Sequence, residues 1–221
     1  MSWLPGPAEL LLFTGAVFVL NATPGADFLL TVTRTATRGW RAGLAAAAGI
    51  SAGCFVHALA AAFGLAALMA VHPAAFTAVK WAGAAYLVWL GVGLLRQALA
   101  RDAAESAAVS TAPTPAPVGW ADFRAGLLTN LLNPKVALFI LAFVPQWVPA
   151  DSAHPTASFV LLGLWLTVQG LLFLFGLVAL AGTLARWQTP GPAKRVLGAL
   201  AGGLFIALAL RLVGSARPAV A

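Results

Sequence analysis

The sequence predicts an all-α, polytopic membrane bundle of about six transmembrane helices, built as two inverted three-helix repeats. Three observations carry this. Of the 221 residues, 61% are hydrophobic and only 9% charged, far below the roughly 25% charged residues of a soluble domain. Apolar runs long enough to cross a hydrocarbon core of about 30 Å recur along the whole chain. They are continuous and rich in Leu, Ala and Gly, without the apolar–polar alternation of a transmembrane barrel.

The expected spans are residues 9–33, 42–71, 76–99, 126–148, 157–184 and 196–213. No Lys or Arg precedes the first run, so it lacks the basic n-region of a cleavable signal and is expected to stay in the mature protein. Residues 100–120, with Pro113, Pro115 and Pro117, read as a flexible cytoplasmic linker. It separates a first repeat, residues 1–99, from a second, residues 121–221. Cys54 is the only cysteine, so no intrachain disulfide exists.

The net charge of +7 does not indicate nucleic acid, because the basic residues are spread over short loops rather than gathered on one face. They report orientation instead. Arg34, Arg38, Arg41, Arg96, Arg101, Arg124, Arg186, Lys194 and Arg195 fall on one side, and Arg217 on the other. Short cytoplasmic loops retain positive charge, so the nine lie in the cytoplasm and both termini outside it. Trp3, Trp40, Trp120, Trp147 and Trp187 suit an interfacial belt.

With three spans on each side of the linker, equivalent helices cross in opposite directions, which permits an inverted repeat. Lys80-x-x-Gly83 leading to Arg96 has a counterpart in Arg195-x-x-Gly198 leading to Arg211. The first and fourth spans match better. One contains Asn21-Ala22-Thr23-Pro24-Gly25-Ala26-Asp27, the other Asn130-Leu131-Leu132-Asn133-Pro134-Lys135. Thr23 and Asn133 are good N-caps, and proline is favoured at the first helical position, so each motif can end one half-helix and begin another. Pro24 lies ten residues before Arg34, and Pro134 ten after Arg124. At about 1.5 Å per residue, both breaks fall about 15 Å deep, near the midplane. Their positive N-terminal ends can converge on a carboxylate.

Asp27 ranks first among candidate functional residues, because a carboxylate at that depth is costly without a partner or a wet cavity. Lys135 can snorkel or neutralise it. Thr23, Pro24, Gly25, Asn130, Asn133 and Pro134 complete the candidate binding motifs, and Ser51 and Gln169 map near the same level. His57 with Cys54 supplies too few ligands for a metal site and reads as a packed histidine. Gly49-Ile50-Ser51-Ala52-Gly53 matches the nucleophile-elbow pattern, which needs a strand and a tight turn. Inside a helix it is better read as a close helix contact, like Gly39-x-x-x-Gly43 and Gly198-x-x-x-Gly202. No enzyme, cofactor or metal is expected.

Four stretches in order, T-P-G-A-D-F-L-L, R-A-G-L-A-A-A-A-G-I, K-W-A-G-A-A-Y-L-V-W-L-G and G-L-L-T-N-L-L-N-P-K, resemble the LysE/RhtB family of bacterial amino-acid exporters. The resemblance runs from Thr23 to about Arg211. It maps the family's T-P-G-P-x motif onto Thr23, Pro24, Gly25, Ala26 and Asp27, and its N-P-K motif onto Asn133, Pro134 and Lys135. Ala26 stands where the family usually has a second proline. The resemblance implies efflux of amino acids from the cytosol through the inner membrane, driven by the proton-motive force.

The expected function is thus export of a small, neutral amino acid by proton antiport. Lys135 would repel a cationic substrate, and no second intramembrane acid compensates. Desolvation disfavours the charge of Asp27 while a half-helix terminus and Lys135 favour it, so Asp27 can serve as the proton-coupling residue. Export of a metal or other cation, and a non-transporting membrane scaffold, are the alternatives. Expected partners are the substrate, protons and the lipid bilayer, with no nucleic acid; the glycine-rich faces allow a homodimer. The charge asymmetry makes the first testable prediction. A C-terminal alkaline phosphatase fusion should be active and a C-terminal green fluorescent protein fusion dark; a fluorescent C-terminal fusion reverses the assignment.

Overall fold

The computed structural model describes residues 4–71, 75–99, 119–148, 152–184 and 191–214, and the described residues form helices and short connections. The helices are α1 (Pro7–Ala22), α2 (Ala26–Arg38), α3 (Trp40–Val71), α4 (Ala75–Leu99), α5 (Trp120–Leu131), α6 (Pro134–Phe143), α7 (Pro155–Leu184) and α8 (Gly191–Gly214), with a 3₁₀ turn, Val144–Trp147, extending α6. The fold is all-α, as the composition predicts. Most of the proposed linker, with Arg101, lies outside the described residues, as do Arg186 and Arg217.

Both proline motifs break their spans. α1 and α2 meet at 58°, and α5 and α6 with its 3₁₀ turn at 55°. α3 and α7 are apolar over 26 residues each. α4 and α8, of 25 and 24 residues, reach about 36 Å at helical rise. Among the described residues, α3, α7 and the two bent pairs give four spans long and apolar enough to cross a membrane, and α4 and α8 bring the helical segments to the expected number. Large apolar side chains such as Leu11, Leu12, Phe18, Trp89, Leu172 and Leu200 face outward, as a bilayer requires and water does not allow.

Three boundaries differ from the sequence reading by five residues or more, one of them the start of α8, at Gly191 rather than residue 196. The first span continues as α2 through Arg38, so Arg34 and Arg38 are helical rather than in a loop. The fourth begins at Trp120, six residues before the expected Gly126. Its polar first turn, with Asp122 and Arg124, resembles loop by hydropathy, yet it is closed by Phe123 N–H donating to the Gly119 carbonyl at 2.9 Å.

In hydrocarbon, helices associate through close packing and hydrogen bonds, because lipid tails are as apolar as Leu. Here small residues set the contacts. α3 lies along α5 and α7, α4 along α8, and both halves of the first span touch α7. At the α3–α5 crossing, a Cβ on Gly49 would sit 2.0 Å from the Phe123 carbonyl oxygen, and one on Gly126 2.1 Å from that of Ala46. The Gly49–Gly53 pair is therefore a helix contact, as expected. Gly202 likewise abuts the Gly91 carbonyl of α4. Gly39 departs from expectation: a Cβ there would meet nothing within 4 Å, and its φ of 87° makes it the left-handed cap that ends α2 and admits α3.

The main core joins α1, α3, α4, α6, α7 and α8, with an aromatic group at its centre. Phe13 stacks on Phe143 at 5.3 Å and meets Trp147 edge-on at 5.8 Å, while Phe139 joins Phe143 at 4.6 Å and Phe205 of α8 at 5.9 Å. Each such pair contributes about 0.5–1.5 kcal/mol beyond its buried area.

The α3–α5 crossing yields a stability prediction. Gly126→Ala forces a methyl against backbone and should cost about 1–3 kcal/mol, the usual range for overpacking. Gly64→Ala, where a Cβ meets nothing within 4 Å, should be neutral or stabilising by up to ~1 kcal/mol. Thermal denaturation of both variants in detergent micelles checks the contrast.

Candidate functional site

The two breaks are built differently. At the second, Asn133 is the N-cap of α6: its side chain accepts from Lys135 N–H at 3.1 Å, and Pro134 takes the first helical position. This matches the sequence reading. At the first, Thr23 is not an N-cap. Its hydroxyl donates backward to the Val19 carbonyl at 2.8 Å, and its amide also turns back onto α1. Pro24 and Gly25 form a short extended link, and the helix resumes at Ala26 with Gly25 as an N-cap that has no side chain to offer. The opening amides of α2 therefore carry no side-chain cap. The break is complete without a second proline at Ala26.

The two breaks face one another. The Oδ2 of Asp27, in the first turn of α2, accepts from the Asn130 amide at 2.9 Å and from the Asn133 amide at 3.4 Å. The Lys135 ammonium reaches across to donate to the Thr23 carbonyl at 3.5 Å. It does not lie within ion-pair distance of Asp27: the ion pairs among the described residues are elsewhere. Two amide donors meet the Asp27 carboxylate directly, while Lys135, held over the Pro24–Gly25 link 3.6 Å from where a Gly25 Cβ would be, acts on it from a longer range.

Between the breaks lies a cavity of about 60 Å³. Thr23, Gly25, Asp27, Asn130, Asn133 and Lys135 line it, and so does Ser51 from α3. Pro24 and Pro134 shape the breaks but do not line the cavity. Gln169 does not line it either; its amide donates to the Thr14 carbonyl at 2.7 Å and ties α7 to α1. Its neighbour Gly170 forms part of the wall instead.

Sequence reasoning passed over three contributors. Asn21 lines the cavity with a buried amide nitrogen that has no hydrogen-bond partner. Cys54 and Thr167 line it from α3 and α7. His57 is not merely packed: its Nε2–H donates at 3.1 Å to the Asn130 carbonyl, which also accepts from Asn133 N–H at 2.9 Å where α5 ends. The signal for it was its spacing in α3, three residues after Cys54 and four after Gly53, which puts it on their face of the helix.

The buried Asp27 Oδ1 and Asn130 Oδ1 are acceptors without partners, and Asn21 Nδ2 a donor without one. Such groups are costly in a dry interior and are normally paired. One cavity thus brings together two free acceptors, a cationic side chain and an uncapped helix N-terminus. It is suited to a molecule carrying both a positive and a negative group. No group of three or more His, Cys, Asp or Glu residues occurs among the described residues.

Paired broken spans whose half-helices meet at one cavity carrying an acid, a base and three amide side chains inside an apolar bundle have the pattern of a membrane translocator. This chain belongs to the LysE type translocator family, whose family model matches residues 18–216. It is 31% identical to a homoserine/homoserine lactone efflux protein of Salmonella typhimurium over 91% of this chain and 93% of that one. It is 30% identical to a leucine efflux protein of the same organism, over 90% and 91%. An uncharacterized membrane protein of Pseudomonas aeruginosa is 37% identical over 78% of this chain and 79% of its own. No solved structure matches the chain.

The capping geometry is testable by stability. Asn133→Ala removes the α6 cap and one donor to Asp27, whereas Asn133→Ser keeps a cap. The alanine variant should be less stable than the serine variant by about 1 kcal/mol, read from denaturation midpoints of the two purified proteins.

Proposed function

We propose that the protein is a secondary transporter of the inner membrane that exports a small neutral amino acid from the cytoplasm in exchange for protons. The observation that carries this reading is the cavity between the breaks, with Asp27 and Lys135 contributed by opposite broken spans. Bound there, the substrate ammonium would meet Asp27 Oδ1 and Asn130 Oδ1. The carboxylate would meet the uncapped amides of α2 and the Lys135 ammonium. Leu20, Ile50, Leu166 and Leu174, which also line the cavity, are left for the side chain.

Size and charge narrow the class. At roughly 10–15 Å³ per water on this measure, the cavity takes about four to six water-sized groups, which fits a small amino acid. Its lining carries one acid and one base, and a zwitterion uses both. A substrate with an extra positive charge would find no second acid. The relatives named for homoserine and leucine efflux favour the same class.

The inverted-repeat reading is supported by the packing, in which span two lies against span four and span five against span one. A pseudo-two-fold axis between the halves generates that pairing. In this scheme Asp27 carries the coupling proton: with one carboxylate in the cavity, protonation and substrate ammonium compete for it. Asp27→Asn keeps the shape and removes the charge. It should weaken binding of a neutral amino acid about 10- to 100-fold, from the ~1.5–3 kcal/mol of a hydrogen bond to a charged group. It should also stop uphill transport. The assay is uptake into inside-out proteoliposomes under an imposed pH difference, with homoserine, leucine, alanine and lysine as candidates. Concentrative transport by the variant would remove Asp27 from coupling, and preference for lysine would overturn the neutral class.

A further inference from the structure

Two clusters of opposite chemistry pack on the broken spans outside the cavity lining. One is the aromatic stack of Phe13, Phe139, Phe143 and Trp147 on α1, α6 and the 3₁₀ turn. The other is ionic. Asp122, in the first turn of α5, is 0% exposed, and its Oδ1 accepts from Arg34 at 3.1 Å and also from Arg38, both on α2. Its Oδ2 accepts from Gly119 N–H at 3.3 Å. Arg34 and Arg38 are 29% and 10% exposed, so the cluster lies at the margin of the bundle with its carboxylate sealed inside.

Position links this cluster to the site. Arg34 follows Asp27 by seven residues, and Asp122 precedes Asn130 by eight. At helical rise each separation is about 10–12 Å. The ion cluster therefore joins the far ends of the same two half-helices whose near ends meet through the Asp27–Asn130 hydrogen bond. Both half-helices are short, 13 and 12 residues, and each is hinged at a break. A packed aromatic face has no charge for water to compete for. A carboxylate shared by two guanidiniums weakens steeply once water enters and the local dielectric rises.

We propose that Arg34, Arg38 and Asp122 form the cytoplasmic latch of the transport cycle. Closed, it holds α2 and α5 together below the cavity; open, it lets the two half-helices part and admits substrate from the cytoplasm. The proposal rests on the transporter reading and the orientation given above.

Cys54 is a native reporter, because it is the only cysteine and lines the cavity. The test measures its modification by a small, charged, membrane-impermeant methanethiosulfonate. The full chain is assayed in inside-out vesicles, which expose the cytoplasmic face, and in right-side-out vesicles. Asp122→Asn retains an acceptor for Gly119 but loses the ion pairs. It should raise the rate from the cytoplasmic face about tenfold, the response of a two-state closure weakened by ~1.4 kcal/mol, and leave the outer face unchanged. Asp122→Glu keeps the charge and should react near the wild-type rate. Arg34→Gln, Arg38→Gln and Asp122→Asn combined strand no buried charge and should match Asp122→Asn, which guards against loss of the single variant through misfolding. An unchanged rate in the combined variant, or an equal rise from both faces, overturns the latch. The readout uses no substrate, so failure of the amino-acid assignment would show in the transport assay and leave this result standing.

Discussion

A helix broken inside hydrocarbon must find partners for the backbone groups it frees, and most of this architecture follows from that constraint. Without water, each unsatisfied amide or carbonyl costs several kcal/mol. Breaking two spans at one level places two sets of freed groups within reach of each other. Asn133 caps α6, its own N–H and His57 share the Asn130 carbonyl, and Lys135 donates to the Thr23 carbonyl. Each break is thus satisfied partly by residues of the other or of α3. The breaks are interdependent, and the polar cavity is what remains between them.

That exchange requires close helix approach, which explains the glycines. α5 must lie near enough to α3 for His57 to reach Asn130, and Gly49, Gly53 and Gly126 remove the side chains that would hold the backbones apart. Gly53 is the most direct case, since a Cβ there would sit 2.9 Å from the Asn130 side chain. The same spacing brings the Asn130 amide to Asp27. Packing and polar satisfaction are therefore one arrangement, and a methyl at the crossing would disturb both.

How much was legible follows from which signals are local. Span number, the two breaks and the convergence of Asp27, Asn130, Asn133 and Lys135 could be read because proline, asparagine and unbroken apolar runs act within a few residues. The Thr23 cap failed because both T-P and N-P look alike in sequence, while Gly25 lets the chain run on extended before Ala26. Gln169 lay at the right level, but depth does not say which way a helix face points, and its face points at α1. Asp122 was hidden by hydropathy. An amphipathic first turn reads as loop, and its partners Arg34 and Arg38 lie more than eighty residues away, beyond any local pattern.

The difference between the breaks also bears on how a zwitterion would be oriented. At α6 the Asn133 side chain already occupies the amide that a carboxylate would seek, and Pro134 has none to give. At α2 no side chain occupies the corresponding amides. A helix N-terminus attracts an anion through those free amides and through its dipole, and both effects fade within a turn. On the proposed function, the anionic end of a zwitterion would be drawn to α2, with Lys135 leaning over the Pro24–Gly25 link from the other broken span. Asp27 belongs to the same turn of α2, but its Oδ2 is turned toward the asparagines of α5 and the α6 cap. The zwitterion's ammonium would then be read across the gap between the two breaks, and a substrate held in this way would contact both broken spans at once, so the spans could part only by releasing one of its charges.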